Sequence, residues 1–504
     1  MRRKLQRIIV GILCALLFGQ ALASKKDNTL VIAWTRGLES LDQYFSTARE
    51  AIIISRVLFD TLIDKDPETG EFQPLLARSF KMLDDTSIEF VLRDDVYFHD
   101  GSKMTADDVV FTLNWVKQPE NKVIHQQNVS WIDSVEKVGE YQVVVHTKYP
   151  NPTALDFLAG PLPIYPKNYY EKVGPTGMGI RPIGTGPYRL VDLSPGDTMV
   201  LERNPQYFSG GPKGTPQIER IIQRSIPEEN TQIIELLNGK VDWIWKLTPD
   251  QAVRLGKRTS VTVIDAPTMR IGYLQFDVAG RSGPSPLQQI KVRKAIAHAI
   301  NRQGIAKRLM GGSADAVHAF CHPIQFGCTD NVTKYEYNPA KAKELLAQAG
   351  YPEGLSVKLY SYENRRVVEA ILADLAAVGI KAEPVMSSFE LLRDKVSAGE
   401  VPFTYMAWGS NSISDVAAIV PHFFTGGTSD TVRDERVGAW VREAGGTIDK
   451  EKRKALYEKA FQAIADNVYM LPMYSFSINY AMSSELAFEP STDEIPRFYK
   501  ARWK

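Results

Sequence analysis

Hydrophobic and polar positions along this chain follow two periods that take turns. Short apolar or alternating runs predict strands at 29–34 (TLVIAW), 87–93 (SIEFVLR), 141–147 (YQVVVHT), 241–245, 356–360, 380–384, 403–408 and 468–474. Helical spacing predicts helices at 48–59, 105–115, 230–237, 290–300, 338–350, 363–378, 389–398 and 450–466. Local chemistry marks several boundaries. Thr105 can cap a helix start, and Asp108 falls at the capping-box position. Asn238-Gly239 reads as a turn. Asn338 is a cap with Pro339 in the first turn, and Gly350 and Gly379 are stops. The stretch 174–187 is rich in Gly and Pro. Strands alternating with helices of this length predict an α/β fold, with parallel sheets covered by helices. No internal repeat or low-complexity linker interrupts the series.

The first segment has a different pattern. Arg2, Arg3, Lys4 and Arg7 precede an apolar run over 8–18, which ends in Ala21-Leu22-Ala23. This is the layout of a cleaved secretory signal over 1–23. Its apolar run is too short to span a bilayer, which takes about 20 residues. Cys14 follows Leu13, which is not the small residue that lipidation requires. No later apolar stretch is long enough to cross a membrane, so the expected product is soluble and periplasmic. Composition adds little beyond this. The 504 residues carry 60 Lys+Arg against 59 Asp+Glu, for a net charge of +1. Loss of the four basic residues with the signal takes the charge to −3. Neither value creates a field that would draw nucleic acid.

Export bears on the two remaining cysteines. Cys321 and Cys328 lie in AFCHPIQFGC, close across Pro323 and Gly327. In an oxidising compartment they read as a disulfide. His318 and His322 beside them keep a metal site as the alternative, although thiolates suit it poorly there. Motifs for catalysis are missing: there is no GxSxG, GxxxxGK[ST], HExxH, or GxGxxG opening a helix. His99-Asp100-Gly101 reads as a turn after a strand, and Asp107-Asp108 as a helix first turn. No enzyme, cofactor or metal is expected. Aromatic residues are more informative. Trp243 and Trp245 alternate at a strand end, and Trp408 ends a strand before Gly-Ser-Asn, so each is a candidate for a cleft wall or for ordinary core.

Six runs in order resemble one family. They are FQPLLARSF…FVLRDDVYFHDGSKMTADDVVFTLNW (72–115), PIGTGPYRL (182–190), IIELLNGKVDW (233–243), VRKAIAHAINR (292–302), YNPAKAKELLAQAGYPEG (337–354) and LYEKAFQAIADNVYMLPMY (456–474). Together they resemble extracellular solute-binding protein family 5, the large periplasmic receptors of ABC importers for peptides, nickel and opines. The resemblance implies a two-lobed, type II periplasmic binding protein fold with an extra subdomain. The first lobe would hold 24–268 plus 475–504, with the subdomain at roughly 63–184, and the second lobe 269–474. The chain would cross near Pro267 to Met269 and again near Met473 to Ser475. Ligand would lie between the lobes, and the partners would be that ligand and permease subunits, with the receptor a monomer.

At one position the chain departs from the family pattern. Peptide receptors of the family carry an aspartate three residues after the tryptophan, which pairs with the ligand's α-ammonium group. Here the run is Trp408-Gly409-Ser410-Asn411, and Asp415 follows four residues later. Loss of that charge-assisted bond removes roughly 1.5–3 kcal/mol. The predicted grip is Trp408, Asn411 and Asp415 on a loop beyond a strand's carboxyl end. Support comes from Glu39, Asp42, Tyr362, Asn364, Trp243 and Trp245. Asp415 has the alternative role of capping the helix after Ser414. The expected ligand is a short peptide. A non-peptide solute (an opine, a sugar conjugate or a nickel complex) is the alternative, and an unrecognised periplasmic enzyme is the alternative of another class.

Overall fold

The computed structural model describes residues 25–46, 48–410 and 413–504. The signal segment and Asn411 therefore lie outside the described residues. The elements that position the site begin with β1 (Thr29–Trp34) and α1 (Arg49–Leu58). Next come the antiparallel strands β2 (Ala77–Asp84) and β3 (Ser87–Leu92), helix α2 (Ala106–Val116), and strands β4 (Ile132–Gly139) and β5 (Gln142–Thr147). These four strands form their own sheet in the order β2-β3-β5-β4. Helix α2 starts where the sequence places it. Thr105 Oγ1 accepts from the Asp107 amide at 3.3 Å, and Asp108 accepts from the Thr105 amide at 2.9 Å. His99-Asp100-Gly101 is a turn, with Asp100 accepting from the Ser102 amide at 3.0 Å.

The chain continues through α3 (Lys167–Ile180), β6 (Tyr188–Ser194), β7 (Thr198–Arg203), β8 (Arg220–Ser225), α4 (Glu229–Leu237) and β9 (Trp243–Leu247). Strand β10 (Val261–Phe276) follows, then α5 (Ile290–Ala299), α6 (Pro339–Gln348), β11 (Leu355–Ser361), α7 (Arg365–Ala377), β12 (Ile380–Met386), α8 (Phe389–Ala398), β13 (Phe403–Trp408), α9 (Lys450–Asp466) and β14 (Met470–Ser483). Ten strands share one sheet in the order β12-β11-β13-β10-β14-β9-β1-β8-β7-β6. Its middle is the long antiparallel pair β10–β14, whose register slips between Pro267 and Ile271 and again between Gly272 and Tyr273. The buried core divides at the first slip. One cluster collects side chains from Leu30 to Ala266 and from Tyr480 to Ala501. Two others collect side chains from Ile271 to Tyr474. Two bodies are thus joined through one continuous sheet.

The structure corrects three sequence expectations. The large sheet is mixed: β1–β8 and β11–β13 are parallel, whereas β10 pairs antiparallel with β13 and β14. A chain that enters the second body on one long strand and returns on another runs in opposite directions on the two. Strand β10 is absent from the predictions, and β14 extends past the predicted end at 474. Within them, Pro267 to Arg270 and Phe476 to Ile478 carry partly exposed positions that break the alternation. Finally, α3 runs into the Gly/Pro-rich stretch. Gly174 at φ +62° kinks it, and Pro175 restarts it in a first-turn position.

Candidate functional site

The two bodies meet at the register slip, and charged residues converge there. Arg270 lies on β10 within the slip between Pro267 and Ile271. Its Nε and Nη2 donate to the two oxygens of Glu494, at 3.0 and 3.1 Å. Glu494 belongs to the C-terminal segment of the first body, and Arg49, at the start of α1, approaches it at 3.3 Å. Burial alone would push the Glu494 carboxyl up, but the two guanidiniums hold it below the usual carboxylate value. Two cations therefore share one carboxylate. Glu363 sits on the second body, on the loop between β11 and α7. Burial raises its carboxyl, against the opposing pull of the Tyr362 hydroxyl and Arg270.

Trp408 and Gly409 approach this cluster from the end of β13. A Cβ on Gly409 would lie 2.9 Å from an Arg270 nitrogen and 3.4 Å from one of Arg49. Ser410 is buried at φ +50°, and Glu494 has φ +62°. Non-glycine residues adopt these angles at some cost, and such residues gather at functional sites. Next to the cluster is a cavity of about 730 Å³. Gln43, Ile52 and Asp156 line it from the first body, and Met269, Ile324 and Ile413 from the second. That volume lies in the range of small-ligand pockets. Lys65 binds Asp156 at 2.6 Å on its wall. Burial raises the Asp156 carboxyl, and the charge of Asp415 on the other body adds to the rise.

The predicted site residues separate. Trp408 and Tyr362 reach this region. The indole of Trp408 donates to the Ala418 carbonyl at 3.0 Å and stacks on His422 with centroids 4.7 Å apart. The Tyr362 hydroxyl lies 3.3 Å from the Ala407 carbonyl, one residue before Trp408. Asp415 is not a free anchor. Its two oxygens accept from Arg453 at 2.7 and 2.8 Å, and it caps the following short helix through the Ala417 amide. Asp42 is fully buried in the first body, where it accepts from the Tyr44 amide and the hydroxyls of Tyr165 and Tyr170. Burial, outweighing those bonds, lifts its carboxyl to about 6. Trp243 is 0% exposed, packed among Trp245, Tyr480, Phe488 and Phe498, so it walls core rather than cleft. Trp245 is also buried, with Lys246 over its ring. Asn364 is spent on capping α7, accepting from the Arg366 amide at 2.9 Å. Glu39 is exposed on the loop after β1.

Arg49, Arg270 and Glu494 are absent from the sequence prediction, whereas Glu363 lies within its supporting segment Tyr362 to Asn364. Of those three, only Arg270 carried a signal, because it directly follows the predicted crossing at Pro267 to Met269. Cys321 and Cys328 form a disulfide with Cα atoms 5.7 Å apart. Among the described residues no group of three His, Cys, Asp or Glu side chains could hold a metal ion. No helix among them is long and apolar enough to cross a membrane.

Two bodies joined by a continuous sheet, with a polar cluster and a cavity between them, define a two-lobed solute-binding protein. Residues 71–430 match the family model "Bacterial extracellular solute-binding proteins, family 5 Middle", and the chain belongs to that family. Heme-binding protein A of Haemophilus influenzae is 24% identical over 466 residues, covering 85% of this chain and 83% of that protein. Glutathione-binding protein GsiB of Shigella dysenteriae is 25% identical over 496 residues, covering 95% of this chain and 94% of that protein. Among solved structures, the ABC transporter-associated periplasmic binding protein DppA from Helicobacter pylori, in complex with the peptide STSA, superposes with a TM-score of 0.79. It is 22% identical, and the match covers 95% of this chain and 99% of that one.

Proposed function

We propose that this chain is the soluble periplasmic receptor of an ABC importer, that it captures a short peptide between its lobes, and that it passes the peptide to membrane permease subunits. The lobes are 24–268 with 475–504, and 269–474. The receptor works as a monomer and performs no reaction. Ligand shifts an open–closed equilibrium, and the closed form is the one delivered. One observation carries the choice of ligand: two guanidiniums from opposite bodies share a single carboxylate beside the Trp408-Gly409 turn. Guanidinium groups suit a ligand carboxylate, which they can bind through two parallel donors. Glu363, on the same side as Trp408, suits a ligand ammonium group, in place of the aspartate that Asn411 and the occupied Asp415 do not supply. A free peptide carries both groups. GsiB is by its name a glutathione-binding protein, and DppA is in complex with the peptide STSA.

Calorimetric titration of tri-alanine against its N-acetylated and C-amidated forms tests the reading. Each capped form loses a charge-assisted bond and should bind about tenfold to a hundredfold more weakly. Equal affinity for all three would exclude the zwitterionic site. Mass spectrometry of whatever solute copurifies checks the class, and a non-peptide solute there overturns it. N-terminal sequencing of the periplasmic product should read Ser-Lys-Lys-Asp.

A further inference from the structure

The disulfide loop 321–328 is bonded to the loop that carries the recognition turn. Gln325 is 3% exposed, and its amide makes three hydrogen bonds. Its Oε1 accepts from the His322 amide at 2.9 Å, inside the disulfide loop. Its Nε2 donates to the carbonyls of Ile413 and Asp415, at 3.1 and 3.3 Å. The next residue continues the attachment. The Phe326 amide donates to the Ser414 carbonyl at 3.0 Å, and the Val416 amide to the Phe326 carbonyl at 3.1 Å. Residues 413–416 are therefore bonded along their length to a segment nearly a hundred positions earlier.

Two further features keep that segment in place. Gly327 sits at φ +81°, where a Cβ would lie 2.7 Å from the Tyr457 ring and 2.9 Å from Val416. The backbone there is pressed against the second body with no room for a side chain. The Cys321–Cys328 bond closes the loop around Gln325, and Cys321 is anchored in the core at 1% exposure. The loop also reaches the cavity directly, since Ile324 lines it together with Ile413 and Ser414. A disulfide placed only to strengthen the core would not need to project a residue into the cavity or to bond to its rim.

We propose that the disulfide-closed loop 321–328 is a clamp that pre-shapes the cavity-rim segment 413–416, with Gln325 as its positioning residue and Ile324 as its contribution to the cavity wall. The proposal rests on the interlobe ligand site described above. The physical logic is preorganisation. A loop already fixed in its bound shape does not spend binding energy on ordering itself. Opening the clamp leaves the fold standing and removes that advantage. Loss of the Gln325 amide also takes a donor from the Ile413 carbonyl at the cavity rim, while the Asp415 carbonyl keeps the Ala418 amide.

Two variants of the full mature chain test the clamp: Gln325→Ala, which keeps the disulfide, and Cys321→Ala with Cys328→Ala, which opens it. Hydrogen exchange read by mass spectrometry gives the deciding comparison and requires no ligand. Amides of 413–418 should exchange at least tenfold faster in both variants, while those of β11 and β14 keep wild-type protection. Unchanged exchange over 413–418 overturns the clamp. So does faster exchange spread evenly over the second body, because that marks a purely structural role. Tri-alanine titration is the second readout, and both variants should bind about tenfold more weakly than wild type. Equal affinities overturn the clamp's part in recognition. Failure of the wild-type protein to bind any peptide would instead overturn the peptide reading, and the exchange comparison would still decide the clamp.

Discussion

Asp242 shows what a single buried carboxyl does to this fold. It is 6% exposed and accepts one bond, from the Val31 amide at 2.8 Å. Burial, only partly offset by that bond, raises it from 3.8 to about 7. The folded protein thus holds a proton there that the unfolded chain releases near pH 4. Stability from this group is full below that pH and falls as pH rises to about 7. A rise of this size is worth roughly 4 kcal/mol. Asp242→Asn keeps an acceptor for Val31 and removes the charge. Urea unfolding from pH 4 to 8 should therefore show the variant gaining on wild type as pH rises, and parallel curves would contradict the assignment. Asp415 is a buried carboxylate of another kind, because it is paired with Arg453 at 2.7 and 2.8 Å. Asp415→Asn leaves Arg453 buried beside a neutral group. It should cost about 3 kcal/mol or more in denaturant unfolding, beyond any effect on ligand. A loss of affinity with unchanged stability would restore Asp415 as a ligand anchor.

At the scale of elements, helix α2 is the clearest case of local chemistry setting a boundary. Both halves of its capping box are made, so Thr105→Ala should remove about 1 kcal/mol in urea unfolding of the first body. No change would mean that packing, rather than the cap, fixes the helix start. Helix α7 shows the same rule displacing a predicted function. Asn364 was a ligand candidate by its place after a strand, yet its side chain caps the helix that opens at Arg365. Because that helix begins two residues later than the periodicity implies, Glu363 is left on the loop, where it can face Arg270.

Over the whole molecule, one buried ionic tie between the bodies, besides the continuous sheet, is the bidentate Arg270–Glu494 pair at the slip in the central strands. Arg270→Met should leave Glu494 paired with Arg49 and loosen closure. The radius of gyration of the ligand-free protein in small-angle scattering should then rise toward that of the open form. An unchanged profile would show that the pair does not hold the lobes together.

Much of this protein was determined by the sequence alone. Helices and strands with strong periods, the caps at Thr105 and Asn338, the stop at Gly379 and the six family runs are local signals, each written within a few residues. A polar period breaks down where a strand passes between two bodies and its exposure changes along its length. That is why β10 and the second half of β14 were not legible. The candidate site is decided almost entirely by tertiary structure. Arg49, Arg270 and Glu494 lie more than 200 residues from one another in the chain, and apart from Arg270's place after the predicted crossing nothing near them marks them as different from surface charges. Electrostatic attraction acts through space, so only the path of the folded backbone decides which charges meet. The same holds for burial: Trp243 and Trp408 are both tryptophans at strand ends, and only their neighbours from distant segments place one in the core and the other beside the cleft.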